Sequence, residues 1–147
     1  MITFLATDVL TAFRDQTRLR KWLIAVVKDH GHSVGELNYV LMSDQALLQY
    51  NRDFLGHDEY TDVITFDGDP GSTPDVNSGA GGTGISGDVL MSLDRITDNA
   101  KTFGVSVQHE LHRVMVHGLL HLLGHSDKSI AKRKSMSALE NKYLEVY

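Results

Sequence analysis

Five of the chain's eight histidines fall between positions 109 and 125: His109, His112, His117, His121 and His125. Imidazole nitrogen is a good ligand for zinc and its neighbours in the first transition row, so crowding of this kind points first to a metal. His117 and His121 are four residues apart, which on a helix sends both rings out from the same side, one turn apart. Glu110 and Val114 fall on that side too, while Leu111, Met115, Gly118, Leu119 and Leu122 form an adjacent, wider apolar arc. The pair therefore borders a core face, the expected place for a cleft. Gly124 predicts the end of this helix and a turn, so the residues after it can fold back over the pair. Two of them are candidate third ligands, His125 and Asp127, eight and ten positions after His117. Three protein ligands and an exchangeable water are the arrangement with which zinc hydrolases bring a water's pKa toward neutrality.

Two other spacings argue by exclusion. Metalloproteases of the H-E-x-x-H type place a glutamate base directly after the first histidine, and here that residue is Gly118. A metalloprotease is the less favoured reading for that reason. Gly79-Ala80-Gly81-Gly82-Thr83-Gly84 matches G-x-G-x-x-G, but the fingerprint works only where it opens a helix facing a pyrophosphate. A strand-like run follows it, so no dinucleotide site is expected.

The elements that must position the cluster can be read from periodicity. Ile2–Ala6, Glu36–Met42, Asp62–Phe66 and Ile85–Leu93 read as strands. Helical patterns run over 9–29, with Asp8 as the expected N-cap and Gly31 as the stop, and over the Ala46, Leu47, Tyr50 and Phe54 repeat after Ser43-Asp44. Others follow at 94–103, 106–123 and 129–145. Trp22, Phe13 and Met115 sit at core spacing, His30 and His32 flank a helix end, and His57 lies in a loop before a strand. The expected fold is α/β (α+β): a single small mixed β-sheet of about four strands, covered mostly on one face, with about five helices. Residues 1–147 make one domain, with a Gly/Pro-rich mobile loop expected at 68–84.

Composition narrows the setting. The chain has 147 residues and no cysteine, which excludes disulfides and thiolate metal sites and favours a reducing compartment, the cytoplasm. No apolar run approaches the roughly 20 residues of a membrane span, and the first residues lack the basic start of a signal peptide. Net charge is −5, which taken whole opposes a nucleic-acid partner, but residues 1–30 carry +2, 31–100 carry −10 and 101–147 carry +3. Arg14, Arg18, Arg20 and Lys21, and beyond the histidines Lys128, Lys132, Arg133 and Lys134, form basic runs that an RNA backbone could follow with modest, salt-sensitive affinity.

His117-Gly118-Leu119-Leu120-His121-Leu122-Leu123-Gly124-His125-Ser126-Asp127 resembles the signature of the YbeY family. Thr61-Asp62-Val63-Ile64-Thr65-Phe66 and Gly87-Asp88-Val89-Leu90-Met91-Ser92 are similar to two strands of the same family, in the same order. The resemblance implies a metal-dependent endoribonuclease specific for single-stranded RNA, acting in ribosomal RNA maturation at the small-subunit 3′ end and in ribosome quality control. Its partners would be pre-rRNA and ribosomal subunits. It implies one Zn²⁺ on His117, His121 and Asp127, the last standing where the family usually has a third histidine. A two-histidine, one-carboxylate set also suits other divalent metals. His125 replaces a usual tyrosine, and Leu55 replaces an arginine associated with phosphate handling, for which Arg52 is the nearby substitute. His125, Arg52 and Glu110 are the candidate catalytic residues. The alternative is a non-catalytic RNA-binding ribosome-assembly factor with a structural metal.

Overall fold

The computed structural model describes residues 1–10, 13–68 and 84–147. Its elements in chain order are β1 (Ile2–Ala6), α1 (Gln16–Asp29), β2 (Ser33–Met42), α2 (Asp44–Leu55), β3 (Val63–Asp67), β4 (Gly84–Ser92), α3 (Leu93–Phe103), α4 (Val107–Leu122) and α5 (Ile130–Glu145). The four strands form one sheet in the order β1-β2-β4-β3. β1, β2 and β4 are parallel and β3 runs antiparallel along β4. Parallel neighbours need a crossover, and α1 supplies it between β1 and β2. The expected mixed sheet of four strands and five helices is what the chain forms.

Alternation along the strands sorts the core. Leu37, Tyr39 and Leu41 of β2, with Val89 and Met91 of β4, join Ile2 and Phe4 of β1 on one face, under α1, α3, α4 and α5. Met42, Ile64 and Leu90 turn to the other face and meet Leu47 of α2 in a smaller cluster. α4 comes unusually close to the sheet. A Cβ on Gly118 would lie 2.7 Å from Val89 Cγ1 and 3.4 Å from Thr65 Cγ2, so the helix seats against β3 and β4 only because this residue has no side chain. The same fact explains why no glutamate base stands at position 118: that face looks into the sheet.

Four helices start on serine. Ser43, Ser92, Ser106 and Ser129 each accept a hydrogen bond from the backbone N–H three residues on, as N-caps do. The first helix departs from expectation. It begins at Gln16, capped by Asp15, and not at Val9 behind Asp8. Asp8 serves a different helix, accepting from the Ser43 N–H at 2.9 Å and from its hydroxyl, which ties the end of β1 to the cap of α2. β2 starts three residues earlier than expected, where Ser33 pairs with Gly84. Gly84 is thus the first residue of β4 and not loop, and Gly68 donates its N–H to Ser86 O at 2.8 Å. The rest of the expected loop, and most of the G-x-G-x-x-G run, lie outside the described residues. On α2 the buried face is Leu47, Leu48 and Asn51, whereas Tyr50 and Phe54 are exposed and stack on each other. Among the described residues no helix is long and apolar enough to cross a membrane.

Candidate metal centre

α4 carries His117 and His121 on the border of its buried face, as their spacing requires. The helix ends at Leu123, and Gly124, at φ +99°, turns the chain back, a conformation that favours glycine. The turn brings Asp127 over the pair. Asp127 Oδ2 lies 3.7 Å from His117 Nε2 and 3.6 Å from His121 Nε2, and the two Nε2 atoms are 3.0 Å apart. Of the two candidate third ligands it is Asp127 that joins the histidines in a group able to hold a metal ion.

The hydrogen bonds behind these atoms set their chemistry. His117 Nδ1 donates to Glu140 Oε2 at 2.6 Å, leaving the Nε2 lone pair facing Asp127 and His121. The His121 ring turns its Nε2 toward the His117 Nε2, 3.0 Å away. Two imidazole nitrogens and a carboxylate oxygen converge at 3.0–3.7 Å from one another, an arrangement that a cation can hold together. Tetrahedral Zn²⁺ with bonds of about 2.0–2.1 Å requires ligand atoms roughly 3.3–3.4 Å apart. The three observed separations bracket that value, so the residues fit such an ion with one position open. A carboxylate behind a ligating histidine is the usual support for such a ring.

The centre opens into a cavity of about 280 Å³ whose walls include Asp62, Glu110, Arg113, His117, Asp127 and Arg133. Arg113 braces it from below, with Nε 3.4 Å from Glu110 Oε1 and Nη1 3.2 Å from Glu140 Oε1. Glu110 is 2% exposed, and its Oε1 has no hydrogen-bond partner among the described residues, the arginine contributing charge without bonding geometry. Burial raises the Glu110 carboxyl above the ordinary range despite Arg113, and burial raises Asp62 despite His117. Burial opposes a charge on His117, but the Glu140 hydrogen bond and the charges of Glu140, Asp62 and Asp127 outweigh it and raise its pKa. His121 moves the other way, lowered by burial and by His117.

The remaining sequence candidates divide. Glu110 is in the cavity wall. His125 is turned away from it: its Nε2 is 2.9 Å from His30 Nε2, and it lines a separate small cavity with Lys132 and Met136. Arg52 bonds to Asp58 and is not in the metal cavity's wall. His57 faces Glu59 at 4.0 Å, in a pocket with Leu55. Sequence reasoning passed over Glu140, Arg113 and Asp62. For Glu140 a signal existed: Met136, Glu140 and Tyr143 are at helical spacing and all buried, so a lone carboxylate on a core face of α5 required a partner.

A model of the family described as endoribonuclease YbeY matches residues 4–147. The chain is 43% identical over 145 residues to endoribonuclease YbeY of Cytophaga hutchinsonii, covering 99% of this chain and 94% of that protein. It is 37% identical to the protein of the same name from Parabacteroides distasonis, with the same coverage. The solution structure of TM1509 from Thermotoga maritima matches with a TM-score of 0.63 at 27% identity, over 99% of this chain and 87% of that one. With the His117–His121–Asp127 group on its helix and turn, and with the match running through nearly every residue, the chain belongs to the endoribonuclease YbeY family.

Proposed function

We propose that the protein hydrolyses phosphodiester bonds of single-stranded RNA in the cytoplasm, in maturation of the small-subunit ribosomal RNA 3′ end and in ribosome quality control. Pre-rRNA and ribosomal subunits are its partners in this reading. His117, His121 and Asp127 hold one metal ion, Zn²⁺ by the nitrogen-rich donor set, with other divalent ions able to replace it. The observation that carries the reading is the convergence of these three donors at 3.0–3.7 Å in a member of an endoribonuclease family. When bound, the ion supplies an activated water and a Lewis acid for a phosphoryl oxygen.

The chain's own residues do the rest. Glu140 holds the His117 ring in one tautomer and orientation. Arg113 keeps Glu140 and Glu110 from repelling each other across the cavity floor. Glu110 is the proton carrier that the geometry favours over His125 and Arg52: it lines the cavity, and burial holds its carboxyl above the ordinary range. Arg133, exposed on the cavity rim, is the cation available to a phosphate there, where the arginine replaced by Leu55 is absent.

One observation also favours a structural contribution by the metal. Asp62, Glu110 and Glu140 raise one another's electrostatic cost around His117, and a bound cation offsets it. The function is tested with His117→Ala/His121→Ala. The double variant should lose both bound metal and cleavage of single-stranded RNA. Full cleavage by that variant, shown to be metal-free, overturns the proposal.

A further inference from the structure

A groove of about 810 Å³, larger than the metal cavity, runs between α1 and α5, with Trp22 and Tyr143 in its floor and Tyr147 at one end. Its rim is basic. Arg18, Lys21 and Lys28 of α1 fall within one stripe about 15 Å long, and Lys142 faces them from α5. All four are exposed in a chain whose net charge is −5. The groove's one acidic side chain, Asp29, is already engaged, accepting from the Tyr143 hydroxyl at 2.6 Å and from Lys142 Nζ at 3.5 Å. Among the described residues Lys21 and Lys28 have no acidic partner. A row of like charges along one helix face costs stability unless an anion answers it.

The groove offers more than charge. The Arg18 guanidinium lies 4.3 Å from the Tyr147 ring centroid and donates to a Tyr147 main-chain oxygen, giving a stacked, positively charged plane at the surface. Such planes take unstacked bases of single-stranded RNA, while flanking lysines take its phosphates. α5 joins this surface to the metal centre. Glu140, which holds His117, and Tyr143, in the groove floor, are three residues and about 4.5 Å of helix rise apart.

We infer that the α1–α5 groove is a second RNA-contact surface, which binds the backbone of single-stranded RNA whose scissile bond lies at the metal centre. The inference rests on the RNA-cleaving function proposed above. It also redraws the basic strip legible in the sequence. Arg20 leaves that strip, its Nε bonding Ile2 O at 3.1 Å and its guanidinium covering Phe4, while Lys28 and Lys142 join it.

The test is binding of a labelled single-stranded RNA to chelator-treated full-length protein across a salt series, which prevents cleavage during the measurement. Lys21→Glu/Lys28→Glu should weaken binding at least tenfold near 0.1 M salt. The milder Lys21→Gln/Lys28→Gln should make the slope of log affinity against log salt shallower by about 1.4, since about 0.7 is lost per phosphate contact on a single strand. Lys101→Glu, on α3, alters charge outside the groove and should shift affinity less than twofold. Thermal melts and metal content, unchanged in each variant, exclude misfolding. Variants that melt like wild type and keep its affinity and slope overturn the inference, the result expected if the groove serves an acidic protein or only solvent. RNA cleavage that survives loss of the metal ligands would overturn the proposed mechanism and leave the groove measurement standing.

Discussion

Glu140 Oε2 lies 2.6 Å from His117 Nδ1, a contact between residues 23 positions apart that couples the last helix to the metal-facing one. Because the same carboxylate also meets Arg113 Nη1 at 3.2 Å, one buried side chain orients a candidate ligand and anchors the cavity floor. Replacing such a support weakens metal affinity by about 10–100-fold. Glu140→Gln, which preserves size, should fall in that range by chelator competition while remaining folded. Wild-type affinity in Glu140→Gln would show that the contact does not tune the site.

The identity of the third ligand separates by substitution. Asp127→Ala should lower metal affinity by more than Glu140→Gln does if Asp127 is the proposed direct ligand and Glu140 only a support. His125→Ala should leave affinity within about threefold, because its imidazole faces His30 and lies outside the group that could hold the ion. The reverse ranking in isothermal titration would move the third ligand to His125.

Gly118→Ala tests the seating of α4. Alanine favours helix over glycine by about 1 kcal/mol, but its Cβ would sit 2.7 Å from the stiff Val89 side chain. Overpacking of this kind costs about 1–3 kcal/mol. We expect a net destabilisation of about 1 kcal/mol in urea unfolding, with weaker metal binding as the helix lifts. A stabilised variant would contradict the close packing.

His112 should make stability pH-dependent. Its ring centroid lies 4.2 Å from that of Tyr147 and 5.8 Å from that of Trp22, and burial, with positive charge at His109 and Arg18, lowers its pKa from 6.5 to about 4. Between those values the unfolded chain binds the proton and the folded one does not. Stability is therefore full above about pH 6.5 and lost as pH falls toward 4. Allowing for the ring's partial exposure, the effect should reach about 1 kcal/mol between pH 7 and pH 5. In chelator-treated protein, His112→Phe should lose about that much less than wild type over the same interval, read by urea unfolding. Equal losses in the two proteins would exclude His112 as the source.

Much of the site was legible because its parts are local in sequence. His117 and His121 are one helical turn apart, and Gly124 placed Asp127 within reach through a turn whose φ of +99° suits glycine. The strands were legible for a similar reason, their β-branched alternation being local. What sequence hid depends on distance along the chain. Glu140 meets His117 only after α5 folds back, and Asp62 enters the cavity from the loop before β3. The N-cap of α1 misled because Asp8 and Asp15 are equally good caps in isolation, and Asp8 is taken by Ser43, 35 residues away. Arg52 looked available for phosphate on α2, but its guanidinium is spent on Asp58 six residues on.

The most direct test of the central claim removes the metal and follows fold, RNA binding and cleavage together. Chelator-treated protein should keep its circular dichroism and its affinity for single-stranded RNA, lose cleavage, and regain it on addition of Zn²⁺. Undiminished cleavage by protein shown to be metal-free would contradict the account, and so would unfolding on chelation, which would make the His117–His121–Asp127 centre a structural site.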